Sequence, residues 1–403
     1  MSGRRVAVIG AGPAGLEAAC ALVDAGHDVT VFERGLIGEG VRSWGHVTLF
    51  SPWSLNQSAR GRAARDALRL PPLDEAHCPS GAEYAEHYLT PLARAVSEKA
   101  SLHERTLVVS ISRDGALKGQ HIGAADRSAT PFRVLCDTVE GESVHFADII
   151  IDATGTYGNA TGLGPGGAPA VGERTTAGRV ARTIPDVLGA HRARYAGQHT
   201  VIVGGGYSAA TVLRDLAALR NEAPGTRVTW VLLSSETPYA RLPDDPLPSR
   251  DQLCAFANAL EDPEVAARHG VTLVRGGVVS LADAGEHLVT RVRTLNGALA
   301  SIDADEIIAL TGYKPNLEIY SELQVHSCYG TDGPMKLAAV LMASDGGGNA
   351  DCLAQSSAGP DALTTPEPGF FVLGSKSYGR RSSYLLKLGI EQVDELMVLL
   401  SRT

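Results

Sequence analysis

The chain has 403 residues, 44% hydrophobic, 20% charged and 5% aromatic, which at about 150 residues per domain suggests two or three domains and excludes a disordered chain or a miniprotein. Forty-five carboxylates against 36 cations give a net charge of -9, so no general field favours nucleic acid or an anionic membrane. The 45 glycines and 21 prolines follow no G-X-Y period, which removes collagen and places the excess in loops around ligands. The first segment, RRVAVIGAGPAGLEAACALVDAGHDVTVFERG, runs from a β-branched stretch through a glycine-rich turn and a helical stretch to a second apolar strand ending at Glu33. That order is a complete β-α-β unit. Gly10 permits the tight turn, Gly12 lets the backbone approach a pyrophosphate, and Gly15 lets the helix pack on the sheet. Glu33, with Arg34 beside it, stands where a carboxylate accepts hydrogen bonds from the ribose of an adenosine.

A second copy begins near residue 199 as HTVIVGGGYSAATVLRDLAALRNEAPGTRVTWVLLSSE. Gly204, Gly206 and Ala209 take the three small positions, and Ser208 lies in the same turn. Two such units mean two dinucleotides. The second acidic residue comes late, at Glu236. Arg241 and Arg250 follow in a proline-rich loop, either to meet a 2′-phosphate or as solvated loop arginines. NADPH is the expected nicotinamide, with NADH as the alternative. Two further short strands, ending in Ala153, Thr154 and Gly155 and in Thr311 and Gly312, bring the chain back beneath each bound dinucleotide. The Gly/Pro stretch 161–173 reads as a crossing between domains and 312–318 as the return, so the second domain is inserted in the first.

With these motifs in place, nearly the whole chain resembles the two-dinucleotide-binding-domain flavoproteins, which include disulfide reductases, flavin-containing monooxygenases and N-hydroxylating monooxygenases. The resemblance implies an α/β fold of two Rossmann-like domains, the NAD(P)H domain (166–314) inserted in an FAD domain (1–165 and 315–403). It implies FAD on the first unit and NAD(P)H on the second. It places Val108 or Val109, in the strand TLVVSISR, against the adenine. Where the reductases carry Gly-Asp, this chain has Gly374, Ser375 and Lys376, so a hydroxyl or backbone group replaces the carboxylate at the ribityl chain. A helix from about Ser382 would then point N–H dipoles at the flavin, while Tyr378 and Tyr384 either serve that site or simply pack.

The segment VRSWGHVTLFSPWSLNQS resembles the flavin monooxygenase region that walls the flavin, and carries over Trp44 and Asn56. An aromatic wall excludes water from an oxygenated C4a-adduct and an amide holds its terminal oxygen; a core Trp with a turn Asn is the bland alternative. His46 is a candidate proton carrier or a structural hydrogen-bonding residue. His191 and Tyr195 match the monooxygenase linker only loosely. The six cysteines, at 20, 78, 136, 254, 328 and 352, include no C-x-x-C. This disfavours a dithiol reductase and a zinc ribbon, leaves no metal site expected, and agrees with reduced thiols in a cytoplasmic protein. Cys328 and Cys352 flank one C-terminal segment, as a redox pair, a lone substrate-facing thiol or inert residues. The stretch Val6 to Leu16 is broken by glycines and proline, unlike a signal-peptide core, and no window reaches the roughly 18 apolar residues of a membrane span. The expected activity is an FAD-dependent, NAD(P)H-consuming monooxygenase using molecular oxygen on a small-molecule amine, sulfur or ketone. A dehydrogenase, a thiol-linked reductase and a non-catalytic flavin-binding sensor are the alternatives.

Overall fold

A computed structural model describes residues 3–344 and 356–402. Its contacts divide the chain into two units, one formed by Met1–Asn159 with Lys314–Thr403 and the other by Ala160–Tyr313. The first crossing therefore comes just ahead of the Gly/Pro stretch: Ala160 bridges Tyr313 and Thr161 donates to the Gly312 carbonyl, which ties that stretch into the second unit.

In the first unit, strands β1 (Arg5–Ile9), β2 (Asp28–Phe32), β3 (Ser101–His103), β4 (Leu107–Arg113), β5 (Phe132–Thr138), β6 (Gly141–Ala147) and β7 (Ile149–Asp152) make two sheets. The parallel sheet runs in the order Phe370–Val372, β7, β1, β2, β3, and the antiparallel meander in the order β4, β5, β6. The central parallel strands are mostly apolar, β7 and the last four residues of β1 being wholly buried, as expected of strands covered on both faces. Helix α1 (Pro13–Asp24) follows β1 with proline in its first turn, where the missing N–H costs nothing. Its fully buried Leu16 and Leu22 pack with Val393 and Leu396 of the C-terminal helix Leu386–Ser401. Each such leucine contributes about 1.5–3 kcal/mol.

In the second unit, β8 (Val180–Ala181), β9 (His199–Val203), β10 (Arg227–Leu232), β11 (Val271–Asp283), β12 (Leu288–Thr294), β13 (Leu299–Ala304) and β14 (Glu306–Ala309) form one sheet, ordered β13-β12-β11-β10-β9-β14-β8. The strands from β8 to β10 and the first half of β11 are parallel, while β11, β12 and β13 continue as an antiparallel meander. Helix α2 (Tyr207–Glu222) is the crossover between β9 and β10. Each unit thus carries a β-α-β turn at the carboxyl end of a parallel sheet, the place where this architecture binds nucleotides. No helix among the described residues is long and apolar enough to cross a membrane.

Candidate dinucleotide sites

A cavity of about 580 Å³ in the first unit is lined by Gly10, Glu33, Arg34, Thr106 to Val108, Thr154 to Asn159, Lys314 to Ile319, Asp332 and Arg380. Its turn is built by excluded volume. Gly10 has φ +102°, and a Cβ there would lie 2.6 Å from the Ala153 carbonyl oxygen, while a Cβ on Gly15 would lie 1.9 Å from the Gly10 oxygen. At Gly12 nothing lies within 4 Å of the same atom: α1 begins there against open space, with its first N–H groups unpaired within the helix. Glu33, 9% exposed, accepts from Ala11 N–H at 2.7 Å and Gly35 N–H at 3.0 Å. These two bonds hold the carboxylate in place and leave lone pairs for two ribose hydroxyls.

Val108 is buried and lines this cavity, whereas Val109, at a register shift in β4, is 42% exposed and does not. Arg34 donates to the Tyr157 carbonyl at 3.1 Å. Ala153 continues β7 by donating to Ile9, and Thr154 and Gly155 form the cavity floor. Beneath the floor, the Lys376 ammonium lies 2.6 Å from Asp152 Oδ2 with both side chains fully buried. Gly374 N–H donates to Gln392 Oε1 at 2.8 Å, and Ser375 Oγ stands 3.4 Å from where a Gly155 Cβ would be. The sequence reading missed Asp152, Lys314, Asp332 and Arg380; Arg380 Nε pairs with Asp332 Oδ2 at 2.6 Å. The open Gly12 cradle and the oriented Glu33 carboxylate fit the ADP half of FAD.

In the second unit the turn repeats. Gly204, at φ +138°, meets the Leu310 carbonyl at 2.2 Å from a notional Cβ, Gly206 is open, and Ala209 is fully buried. Trp230 Nε1 donates to Gly204 O at 2.8 Å and Tyr239 Oη to Gly206 O at 2.9 Å. Ser208 lies in the first turn of α2, and Gly312 closes onto Thr161. Arg241 is spent on Asp251, with bonds of 2.7 and 2.6 Å. Arg250 is buried against Asp245, with bonds of 2.8 and 2.7 Å. Arg250 holds the Asp245 carboxyl below the usual range. Both arginines expected at a 2′-phosphate are thus already matched by carboxylates.

The residues carried over for oxygen chemistry separate. Asn56 is 2% exposed and donates its amide to the Ser51 and Pro52 carbonyls, just ahead of its one-turn helix, at 2.8 and 3.0 Å. The Trp44 indole N–H, by contrast, is buried with no partner among the described residues. The loop bearing it starts at the nucleotide turn, where Gly38 donates to Ala11 O at 3.0 Å. His46 is exposed. Tyr195 packs as a buried core residue, and His191 Nδ1 accepts from Asp186 N–H at 3.1 Å. Burial pushes the thiols of Cys20 and Cys136 up to about 11. Cys328 moves the other way, held down by the Thr331 hydroxyl and the N–H groups of Gly330 and Thr331. Its suggested partner, Cys352, lies outside the described residues. The C-terminal helix starts at Leu386 rather than Ser382: Leu385 is extended at φ -120°, ψ 152°. Tyr384 Oη fills the space where a Gly389 Cβ would stand.

A family model for pyridine nucleotide-disulphide oxidoreductases matches residues 4–330, and the chain belongs to that family. It is a flavin-dependent pyridine nucleotide oxidoreductase by family, with FAD and NAD(P)H as the cofactors the family implies. No curated protein sequence matches the chain. Among solved structures, the bacillithiol disulfide reductase of Bacillus cereus is similar at a TM-score of 0.68 and 19% identity, over 100% of both chains. The ornithine N-hydroxylase of Kutzneria sp. 744 follows at 0.63 and 17%, over 99% of both. The cadaverine monooxygenase of Erwinia amylovora matches at 0.62 and 14%, over 100% of this chain and 95% of that one. At these identities the likeness is one of fold.

Proposed function

We propose that the protein is an FAD-dependent NAD(P)H oxidoreductase that delivers its electrons to molecular oxygen and an oxygen atom to a small-molecule amine, sulfur or ketone. The flavin reading is carried by the cavity lined by Gly10 and the oriented Glu33, with open space at the neighbouring Gly12. FAD, when bound, supplies hydride acceptance and electron transfer to oxygen. The chain supplies the rest. The N–H groups opening α1 hold the pyrophosphate, Glu33 the adenosine ribose, and Val108 the adenine. Gly206, at the start of α2, receives the second pyrophosphate, with Tyr239 bracing the turn. Support for the oxygen step is the unspent Trp44 N–H, a donor on the edge of an aromatic ring, in the segment after β2 that Gly38 ties to the Ala11 carbonyl. Asn56 has no amide hydrogen left for that task.

The test is reduction of the purified protein by NADH and by NADPH without air, followed by labelled dioxygen with an amine, a thioether or a ketone. Label in the product supports the monooxygenase reading; nucleotide oxidation yielding only hydrogen peroxide or water overturns it. A thiol-linked reductase is the second reading, favoured by Cys328, whose lowered thiol is the most readily ionised of those described. Consumption of NAD(P)H by a low-molecular-weight disulfide, abolished in Cys328→Ser, would establish it.

A further inference from the structure

The cavity floor stands on a buried ion pair that the reading above does not use. Asp152 ends β7, where its carbonyl accepts from Leu373 at 2.9 Å. Its Oδ1 takes both the N–H and the hydroxyl of Thr154, at 3.1 and 2.7 Å. Lys376 folds back from the following turn, placing its ammonium 2.6 Å from Asp152 Oδ2, 3.0 Å from Thr154 Oγ1 and 4.9 Å from the centre of the Tyr320 ring. Both side chains are fully buried. A buried pair is weak evidence for stability, since apolar residues of similar volume often serve as well. Its position suggests another purpose: among the described residues, every side-chain hydrogen bond of the pair, apart from the one between its own members, goes to Thr154, which lines the cavity.

We propose that Lys376 is a positioning residue for FAD, acting through Asp152 and Thr154 to hold the 153–155 turn at the height the dinucleotide requires. The proposal rests on the assignment of FAD to this cavity. With the ammonium gone, Asp152 loses one of its three side-chain donors and the Thr154 hydroxyl oxygen loses the donor it accepts from, keeping only its own bond to Asp152. The turn is then free to settle elsewhere, and the ligand above it is held less well. The ion pair is a linkage between β7 and the 374–378 segment, and its output is read at the nucleotide.

The experiment measures FAD dissociation constants by titrating apo-protein, with the visible circular dichroism of bound flavin as a second readout. The variants are Lys376→Met, Thr154→Val and their combination. Lys376→Met is expected to weaken FAD at least tenfold and change the dichroic band, Thr154→Val to weaken it severalfold, and the double variant to be no weaker than Lys376→Met, because coupled residues are not additive. Parental affinity in Lys376→Met, or effects that multiply in the double variant, overturns the proposal. Should Lys376→Met fail to fold, Asp152→Leu with Lys376→Met removes both charges together; weakened FAD then supports the proposal and parental affinity overturns it. If the parent protein itself takes up no FAD, the cavity assignment is what fails, and the variants are not needed to show it.

Discussion

Gly12 and Gly15 lack side chains for opposite reasons. A Cβ on Gly15 collides with backbone, while one on Gly12 meets nothing in the protein. Gly12→Val is therefore expected to fold with a near-parental melting midpoint as apo-protein and to lose FAD, and Gly15→Ala to lose stability with or without cofactor; thermal melts and flavin absorbance check both. In the second unit, Asp251→Asn frees the Arg241 guanidinium, and the ratio of NADPH to NADH affinity is expected to rise severalfold. Asp245 gives the pH dependence its sign. Arg250 lowers its folded carboxyl below the ordinary 3.8, so its contribution is whole above that value and is lost as pH falls through the lower, folded one. Asp245→Asn is expected to melt earlier at pH 7 and to show a shallower fall in melting midpoint as pH drops below about 4. Glu33, Gly10 and Gly12 were legible because their chemistry is local to one β-α-β run. Arg241 was not: its partner Asp251 lies across a loop whose path the sequence does not state.

Elements show the same division between local pattern and distant contact. Strands β1, β7, β9 and β14 are dense β-branched runs, and all appear where the periodicity places them. The meanders β5–β6 and β12–β13 escape notice, because half-exposed antiparallel strands alternate polar with apolar residues and carry weaker signatures. The late start of the C-terminal helix has a local cause. Leu385 is extended, so the helical turns begin only at Leu386. One clamp binds elements far apart in the chain: Glu367, fully buried, takes Arg113 from β4 at 2.7 Å, Arg127 at 2.9 Å and the Gln324 N–H at 2.8 Å. Glu367→Gln leaves two buried guanidinium groups facing a neutral amide. It is expected to cost about 3–5 kcal/mol, read as a lower urea midpoint with little change in slope.

For the whole molecule, paired glycine fingerprints made the two-unit architecture readable, since each fingerprint needs its own sheet. Each unit also has its own apolar core, and calorimetry is expected to resolve two transitions. FAD at about a hundred times its dissociation constant should stabilise one by about 2.7 kcal/mol, and NAD(P)H the other. The Asp152–Lys376 pair lay outside sequence reading for a reason of scale: its two residues stand 224 positions apart in the chain.

The junction has a consequence for chain architecture. Lys314 N–H donates to the Asn159 carbonyl at 2.9 Å, and Ala160 pairs with Tyr313, so the chain departs and returns through neighbouring residues. A gap that short is one a single short linker spans. The inserted unit is in effect a cassette: joining Asn159 to Lys314 through a few residues would leave a stand-alone flavin scaffold, and a different nucleotide-binding insert would need only closely spaced ends of its own to be spliced in its place.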